Sequence, residues 1–309
     1  MQAKFMTGIY GAFNRAKTTR EMRPGFHGFE VSCLQGTGEA KEVTDYACGN
    51  GLAMGVHFPL IRDAYPAVGL HPWLTSRDEH IRRAGFEAIN RDLDAANAIG
   101  AEYLVVHYPK PAVIDCNLSW IDWRFVQQGE AIDERTTSPA EQEDLSLAAF
   151  DRLSQLASQS RVRLAIEHDV LNFMHYGPLN GGAALLPRLF RQHPDLGLCV
   201  DTGRLHLLES TDTDFDALGF TSLMLPYITN VHLWTAKLGT NRFGGHHPLH
   251  PNLKEADGWG NMRGLLQILA SLGNAYVMFE HRADLITAKQ LDECYSWVAT
   301  ELSATCGIR

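Results

Sequence analysis

The feature that most constrains this chain is an alternation. Short apolar runs, rich in β-branched and aromatic residues, are separated by stretches with a helical period. Eight such runs follow one another: Phe5–Tyr10, Gly28–Ser32, Ala53–Pro59, Tyr103–Tyr108, Val162–Glu167, Leu196–Asp201, Ile228–Trp234 and Ala275–Glu280. Runs this short and this apolar suit strands that are covered on both faces. Between them, Phe86, Ile89, Leu93 and Ala96 share one face of a helix predicted near Asp78–Ile99, and Gly100 stands where its cap belongs. Leu145, Ala149, Leu153 and Leu156 repeat the pattern, as do Met262, Leu265, Leu269 and Leu272, and then Leu291, Cys294, Val298 and Leu302. Strand followed by helix throughout predicts an α/β chain closed into a parallel (β/α)8 barrel. With 309 residues, 45% of them hydrophobic, the core can be large, and no repeat or linker divides the chain. A single barrel domain over residues 1–309 is expected.

Charge and cysteine usage narrow the partners. A net charge of −9 provides no global positive field, which disfavours a nucleic-acid partner. The six cysteines are scattered without a C-x-x-C pair and suit buried thiols in a reducing compartment. Met1–Tyr10 lacks a charged start followed by a long apolar run, and no stretch approaches the roughly 20 apolar residues that cross a bilayer. A cytoplasmic protein without a membrane partner is expected.

Barrel enzymes place their chemistry at the C-terminal ends of the strands. Four successive strands end in Glu167, Asp201, His232 and Glu280, and the third and fourth add His57 and His107. Singly, each has an ordinary reading: a hydrogen-bonded core histidine, or a carboxylate that caps a helix or meets an arginine. Together they are harder to dismiss, because three neighbouring buried carboxylates cost several kcal/mol per charge without a cation. A divalent metal is the simplest such cation. Mixed carboxylate and imidazole ligands suit Zn, Mn, Fe or Co, as one or two ions. Two long segments, Pro109–Pro139 with Trp120 and Trp123, and Thr235–Gly260, follow strands and belong on the same face. Trp123 and Trp234 could wall a sugar ring or simply anchor these loops. Arg204, Lys237, Arg242 and Arg282 could hold a substrate oxygen, carboxylate or phosphate, against the commoner role of a solvated surface charge.

The strings GVHFPL, LVVHYPKP, LAIEHD, CVDTGRLH, NVHLW and VMFEHR resemble, in order and spacing, the xylose isomerase-like (β/α)8 TIM-barrel superfamily. That group includes sugar isomerases and epimerases, inosose dehydratases, hydroxypyruvate isomerases and the endonuclease IV type of abasic-site nuclease. The resemblance implies that Glu167, Asp201, His232 and Glu280 form a metal quartet, with Glu167 and Glu280 as general base and acid. It implies that His57 and His107, with Glu167, match the second metal site of the nuclease, and that His246 in GGHHPLHP occupies a third-site ligand position. Gly244 stands where the nuclease has an aspartate, and Arg204 where it has a histidine three residues after the strand-six aspartate; His206 lies two residues further on. A trinuclear site is therefore broken. The implied activity is isomerisation or epimerisation of a small sugar-like polyhydroxy carbonyl compound. The rivals are a phosphodiesterase on abasic DNA, a dehydratase or lyase using the same ligands, and a barrel that serves only as a binding module. Many members associate as dimers or tetramers, so a homo-oligomer is also open.

Overall fold

The computed structural model describes residues 2–108, 138–169, 171, 173–177, 184–237 and 245–303. Within them lie eight strands: β1 (Gln2–Tyr10), β2 (Gly28–Ser32), β3 (Ala53–His57), β4 (Tyr103–Tyr108), β5 (Arg163–His168), β6 (Gly197–Asp201), β7 (Ile228–His232) and β8 (Asn274–Phe279). Each pairs in parallel with the next, and β8 closes on β1, giving a (β/α)8 TIM barrel. Every apolar run read from the sequence is a strand. The largest displacement is at the start of β1, where Gln2 and Lys4 interrupt the hydrophobic signal although Gln2–Thr7 pair in register with Asn274–Phe279.

The helices cover the outside of this barrel with the faces that their periodicity marks. The helix Glu79–Ala98 starts where the Asp78 side chain accepts the His80 N–H; Ile89, Leu93 and Ala96 are buried beneath it. Gly100 follows with φ 73°, a left-handed conformation that a side chain would resist. The helix Pro139–Ser158 is capped by Ser138 and begins on proline, whose missing N–H is harmless in a first turn. Helices Met262–Leu269 and Ala288–Ser303 bury Leu265 and Leu269, and Leu291, Cys294, Val298 and Leu302. Among the described residues no helix is long and apolar enough to cross a membrane.

The strand residues that point inward fill the bore. Met6, Tyr103, Val105, Ala165, Cys199 and Met278 form one buried cluster inside the barrel. At the N-terminal end of the strands, Lys4 Nζ donates to Tyr276 Oη at 3.1 Å and to Glu102 Oε2 at 3.3 Å, and His27 Nε2 lies 2.8 Å from the same carboxylate. A packed bore below leaves the opposite mouth for chemistry.

Close packing between strands can be tested at Gly28. A Cβ there would stand 1.8 Å from the Ala53 carbonyl oxygen, and a backbone obstacle cannot rotate away. Gly28→Ala is expected to destabilise the fold by about 3 kcal/mol. The measurement is the urea midpoint, and an unchanged midpoint would show that the two strands separate freely here.

Candidate metal centre

Barrel stagger explains how residues far apart in sequence reach one place. Glu167 stands beside Cys199 across β5 and β6, so Asp201, two residues later on the same face, is one step higher. Asp201 is level with His232, and His232 with Met278, which puts Glu280 a further step up. The inward parity is kept while the level climbs around the mouth. His107 is level with Glu167 on the other side.

Glu167 is wholly buried, with Oε2 at 3.0 Å from His57 Nε2, 3.3 Å from His232 Nδ1 and 3.6 Å from His107 Nε2. His232 Nδ1 is also 3.2 Å from Glu280 Oε2. Ligand-capable atoms of Glu167, Asp201 and Glu280 lie within 4.8 Å of one another, as do those of His57, Glu167 and His232. Despite this crowding, Glu167 Oε1, His232 Nδ1 and Glu280 Oε2 are buried without a hydrogen bond. Unsatisfied buried polar atoms are few in folded proteins, and here His232 Nδ1 faces Glu280 Oε2 at 3.2 Å, a nitrogen and an oxygen donor that a metal could satisfy together. The residues present therefore fit a divalent ion, which Glu167, Asp201, His232 and Glu280 would hold.

One residue that orients His232 was missed from the sequence. Glu30 on β2 is buried; its Oε2 lies 3.2 Å from His232 Nε2 and accepts the Tyr103 hydroxyl at 2.9 Å. With Nε2 turned to a carboxylate, Nδ1 is the nitrogen left for a metal. The available signal was a single charged residue within a fully buried strand, GFEVS. Glu30→Gln is expected to weaken Zn2+ binding about 10- to 100-fold by calorimetry. Unaltered affinity would remove Glu30 from this role.

Arg204 lies within the carboxylate cluster. Its N–H donates to Asp201 Oδ1 at 2.9 Å, opening the helix Thr202–Thr211, and its Nε–H donates to Asp201 Oδ2 at 3.0 Å. The same Nε is 3.2 Å from Glu167 Oε1, and Nη1 donates to Asp169 Oδ1 at 2.6 Å. Asp169, also missed, places Oδ2 3.2 Å from His107 Nδ1. His71 joins these two in a further group with ligand-capable atoms within 4.8 Å. Thus His57 keeps company with Glu167 and His232, and His107 with Asp169 and His71, although the two Nε2 atoms are only 3.1 Å apart.

Burial and charge pull the acids in opposite directions. Burial favours a protonated Glu167, yet His107 and His232 hold it well below the usual carboxylate range. Glu280 is likewise held down to about 2 against burial, chiefly by His232. Asp201 moves up to about 7, through burial and then the neighbouring charge of Glu280. His168, whose Nε2 accepts the Asp201 N–H at 3.0 Å, is lowered to about 4 by burial, and His281 to about 3 for the same reason. A depressed folded pKa gives stability that is complete above the unfolded value near 6.5 and is lost as the pH falls toward the folded value. Between pH 6.5 and 4 each of these histidines is expected to cost the protein on the order of 3 kcal/mol. Asp201, whose raised value favours the fold as the pH falls, offsets about one of the two, so a net loss remains. Chemical denaturation across that range is the measurement; a flat profile would contradict it.

The remaining expected site residues are placed as follows. His246 has φ 29°, stacks on Trp234 with ring centres 4.2 Å apart, and brings Nε2 to 3.7 Å from Glu280 Oε1. Trp234 is wholly buried behind it and packs on Gly203, where a Cβ would lie 2.2 Å from the ring. His206 is buried, with Nδ1 3.2 Å from Glu209 Oε2 and its ring against Gly260. Lys237 is exposed, bridged through its backbone to Trp259. Arg282 pairs with Asp284 at 2.7 Å on the surface, while its backbone N–H donates to His246 O at 2.7 Å. Trp120, Trp123 and Arg242 lie outside the described residues. Tyr10, which ends β1 beside Cys33 and Glu280, is 57% exposed and adds a ring to the mouth; it stands at a strand end like the others and was overlooked.

A family model described as a xylose isomerase-like TIM barrel matches residues 21–302. No curated protein matches the sequence. Among solved structures, the chain is similar to a D-tagatose 3-epimerase-like protein, at 16% identity and a TM-score of 0.57, over 97% of this chain and 100% of that one. It is similar to a Thermus thermophilus protein soaked with ZnCl2, at 16% identity and a TM-score of 0.59, over 96% of this chain and 97% of that one. It is also similar to the mannonate dehydratase of Streptococcus suis serotype 2, at 12% identity and a TM-score of 0.59, over 97% and 94%. At these identities the likeness is one of fold.

Proposed function

Since this chain belongs to the xylose isomerase-like TIM barrel family, we propose that it is a divalent-metal-dependent isomerase or epimerase of a small sugar-like polyhydroxy carbonyl compound. The observation that carries this reading is the pair of glutamates, Glu167 wholly buried and Glu280 partly so, each about 3 Å from His232 Nδ1 and each with a buried oxygen that makes no hydrogen bond. Glu167, Asp201, His232 and Glu280 are the proposed metal ligands, with His57, His107 and His246 as further ligand candidates. When bound, the ion supplies Lewis acidity toward a substrate carbonyl and its neighbouring hydroxyl.

The chain's own groups supply the proton transfers. Glu167 or Glu280 takes the proton from the carbon beside the carbonyl. In an isomerisation the same carboxylic acid returns that proton to the adjacent carbon. In an epimerisation the other glutamate, having first taken a proton from solvent, delivers it to the opposite face. Both carboxylates are held low, so both rest ionised. His246, with Nε2 3.7 Å from Glu280 Oε1, and Tyr10 at the end of β1 are the side chains proposed to contact the sugar. The sugar-epimerase and zinc-soaked neighbours share this fold and support the reading.

The test is exchange of substrate C–H protons with deuterated water across a panel of ketoses, read by mass spectrometry. Deuterium incorporation is expected with wild type and not with Glu167→Gln. Elimination of water from a sugar acid, without exchange in ketoses, would favour a dehydratase, a second reading that the shared fold with mannonate dehydratase supports. Nicking of abasic DNA would overturn both. The charge of −9 and the residues Gly244 and Arg204 weigh against it.

A further inference from the structure

We infer that Arg204 is a built-in counter-cation of this centre, which competes with the divalent ion for Asp201 and Glu167 and sets the metal affinity of the site. The inference rests on the proposed metal quartet. Both oxygens of Asp201 are engaged by this one residue, Oδ1 by its backbone N–H and Oδ2 by Nε–H. The Nε also lies 3.2 Å from Glu167 Oε1, one of the oxygens without a hydrogen bond. Two of the four proposed ligands therefore already face a positive charge.

That charge is permanent and well shielded. A guanidinium does not deprotonate in a protein, and only 13% of the Arg204 side chain is exposed, so solvent screens it little. The site is thus charge-compensated before any ion arrives, unlike carboxylates gathered with no cation of their own. An incoming divalent ion must share Asp201 and Glu167 with a fixed cation or displace it. Asp169 offers the guanidinium a place to remain, because Nη1 is bound there at 2.6 Å while Nε faces Asp201. Arg204 lies three residues after Asp201, the helical spacing that returns a side chain over its own N-cap. The arrangement is built by the first turn of the helix Thr202–Thr211 itself.

The experiment is calorimetric titration of the metal-stripped full-length protein with Mn2+ and with Zn2+. Arg204→Gln and Arg204→Met, which remove the charge, are expected to bind Mn2+ at least tenfold more tightly than wild type. Arg204→Lys, which keeps it, should stay within about threefold of wild type. The thermal midpoint of each stripped neutral variant should fall and then rise with added Mn2+ by more than that of wild type. If neither neutral variant is folded without metal, recovery of its circular dichroism at Mn2+ levels that leave wild type unchanged supports the inference, and failure to recover overturns it. Equal or weaker affinity in the neutral variants, or equal tightening in Arg204→Lys, overturns the counter-cation role but leaves the metal quartet standing. Absence of metal uptake in wild type and every variant would overturn both.

Discussion

Glu280→Gln is expected to lower kcat by a thousandfold or more while leaving the barrel folded. The carboxylate sits 3.2 Å from His232 Nδ1, and its side chain is 21% exposed, whereas Glu167 and His232 are at 0%. It is the member of that trio that reaches solvent. An amide of the same shape cannot accept a proton, and losing a positioned acid–base group alone lowers rates by roughly 10²- to 10⁴-fold. The same change removes a proposed metal ligand, so the two losses compound. Folding should survive, because Glu280 Oε2 makes no hydrogen bond that an amide would break. Steady-state kinetics on the substrate found by proton exchange is the measurement, with the thermal midpoint as control. Activity within tenfold of wild type would remove Glu280 from the chemistry.

Chelation is the second large effect. Prolonged dialysis against a chelator is expected to reduce activity at least a hundredfold and to lower the thermal midpoint, since a ligand held only by the native state stabilises it. Activity should return with Zn2+, Mn2+, Fe2+ or Co2+ in preference to Ca2+, because His232 brings a nitrogen ligand among the carboxylates. Full activity in protein shown by elemental analysis to be metal-free would end the metal-dependent reading. Such a result would turn attention to Arg204, the cation that the chain itself supplies.

Much of this architecture could be read from residues alone, for a physical reason. Strands of a parallel barrel are covered on both faces, so they appear as uninterrupted apolar runs, and β2 to β8 began and ended close to where those runs did. The start of β1 was hidden because backbone pairing with β8 extends past the apolar residues to Lys4 and Gln2. The gathering of Glu167, Asp201, His232 and Glu280 followed from their position at strand ends, where the fold decides convergence regardless of sequence distance. Glu30 was not readable in the same way, because it lies inside a strand and matters only through what the bore places against it. Asp169 and His71 gain their roles from neighbours in three dimensions, around His107. Arg204 could be placed at the correct face, but its direction was not fixed by that face. A side chain in the first turn of a helix can reach outward to a ligand or back over its own cap, and here it reaches back.

The polar cluster of Lys4, His27, Glu102 and Tyr276 lies at the end of the barrel far from these groups and joins β1, β8 and the segments that enter β2 and β4. It links these segments at the end of the barrel away from the metal-capable groups. Sequence drift in the upper loops can therefore retune which molecule is accepted without loosening the vessel. Of the lower four, Tyr276 packs its ring on Tyr103, whose hydroxyl meets Glu30 beneath His232, so it is the position through which a change at the bottom would be felt at the top.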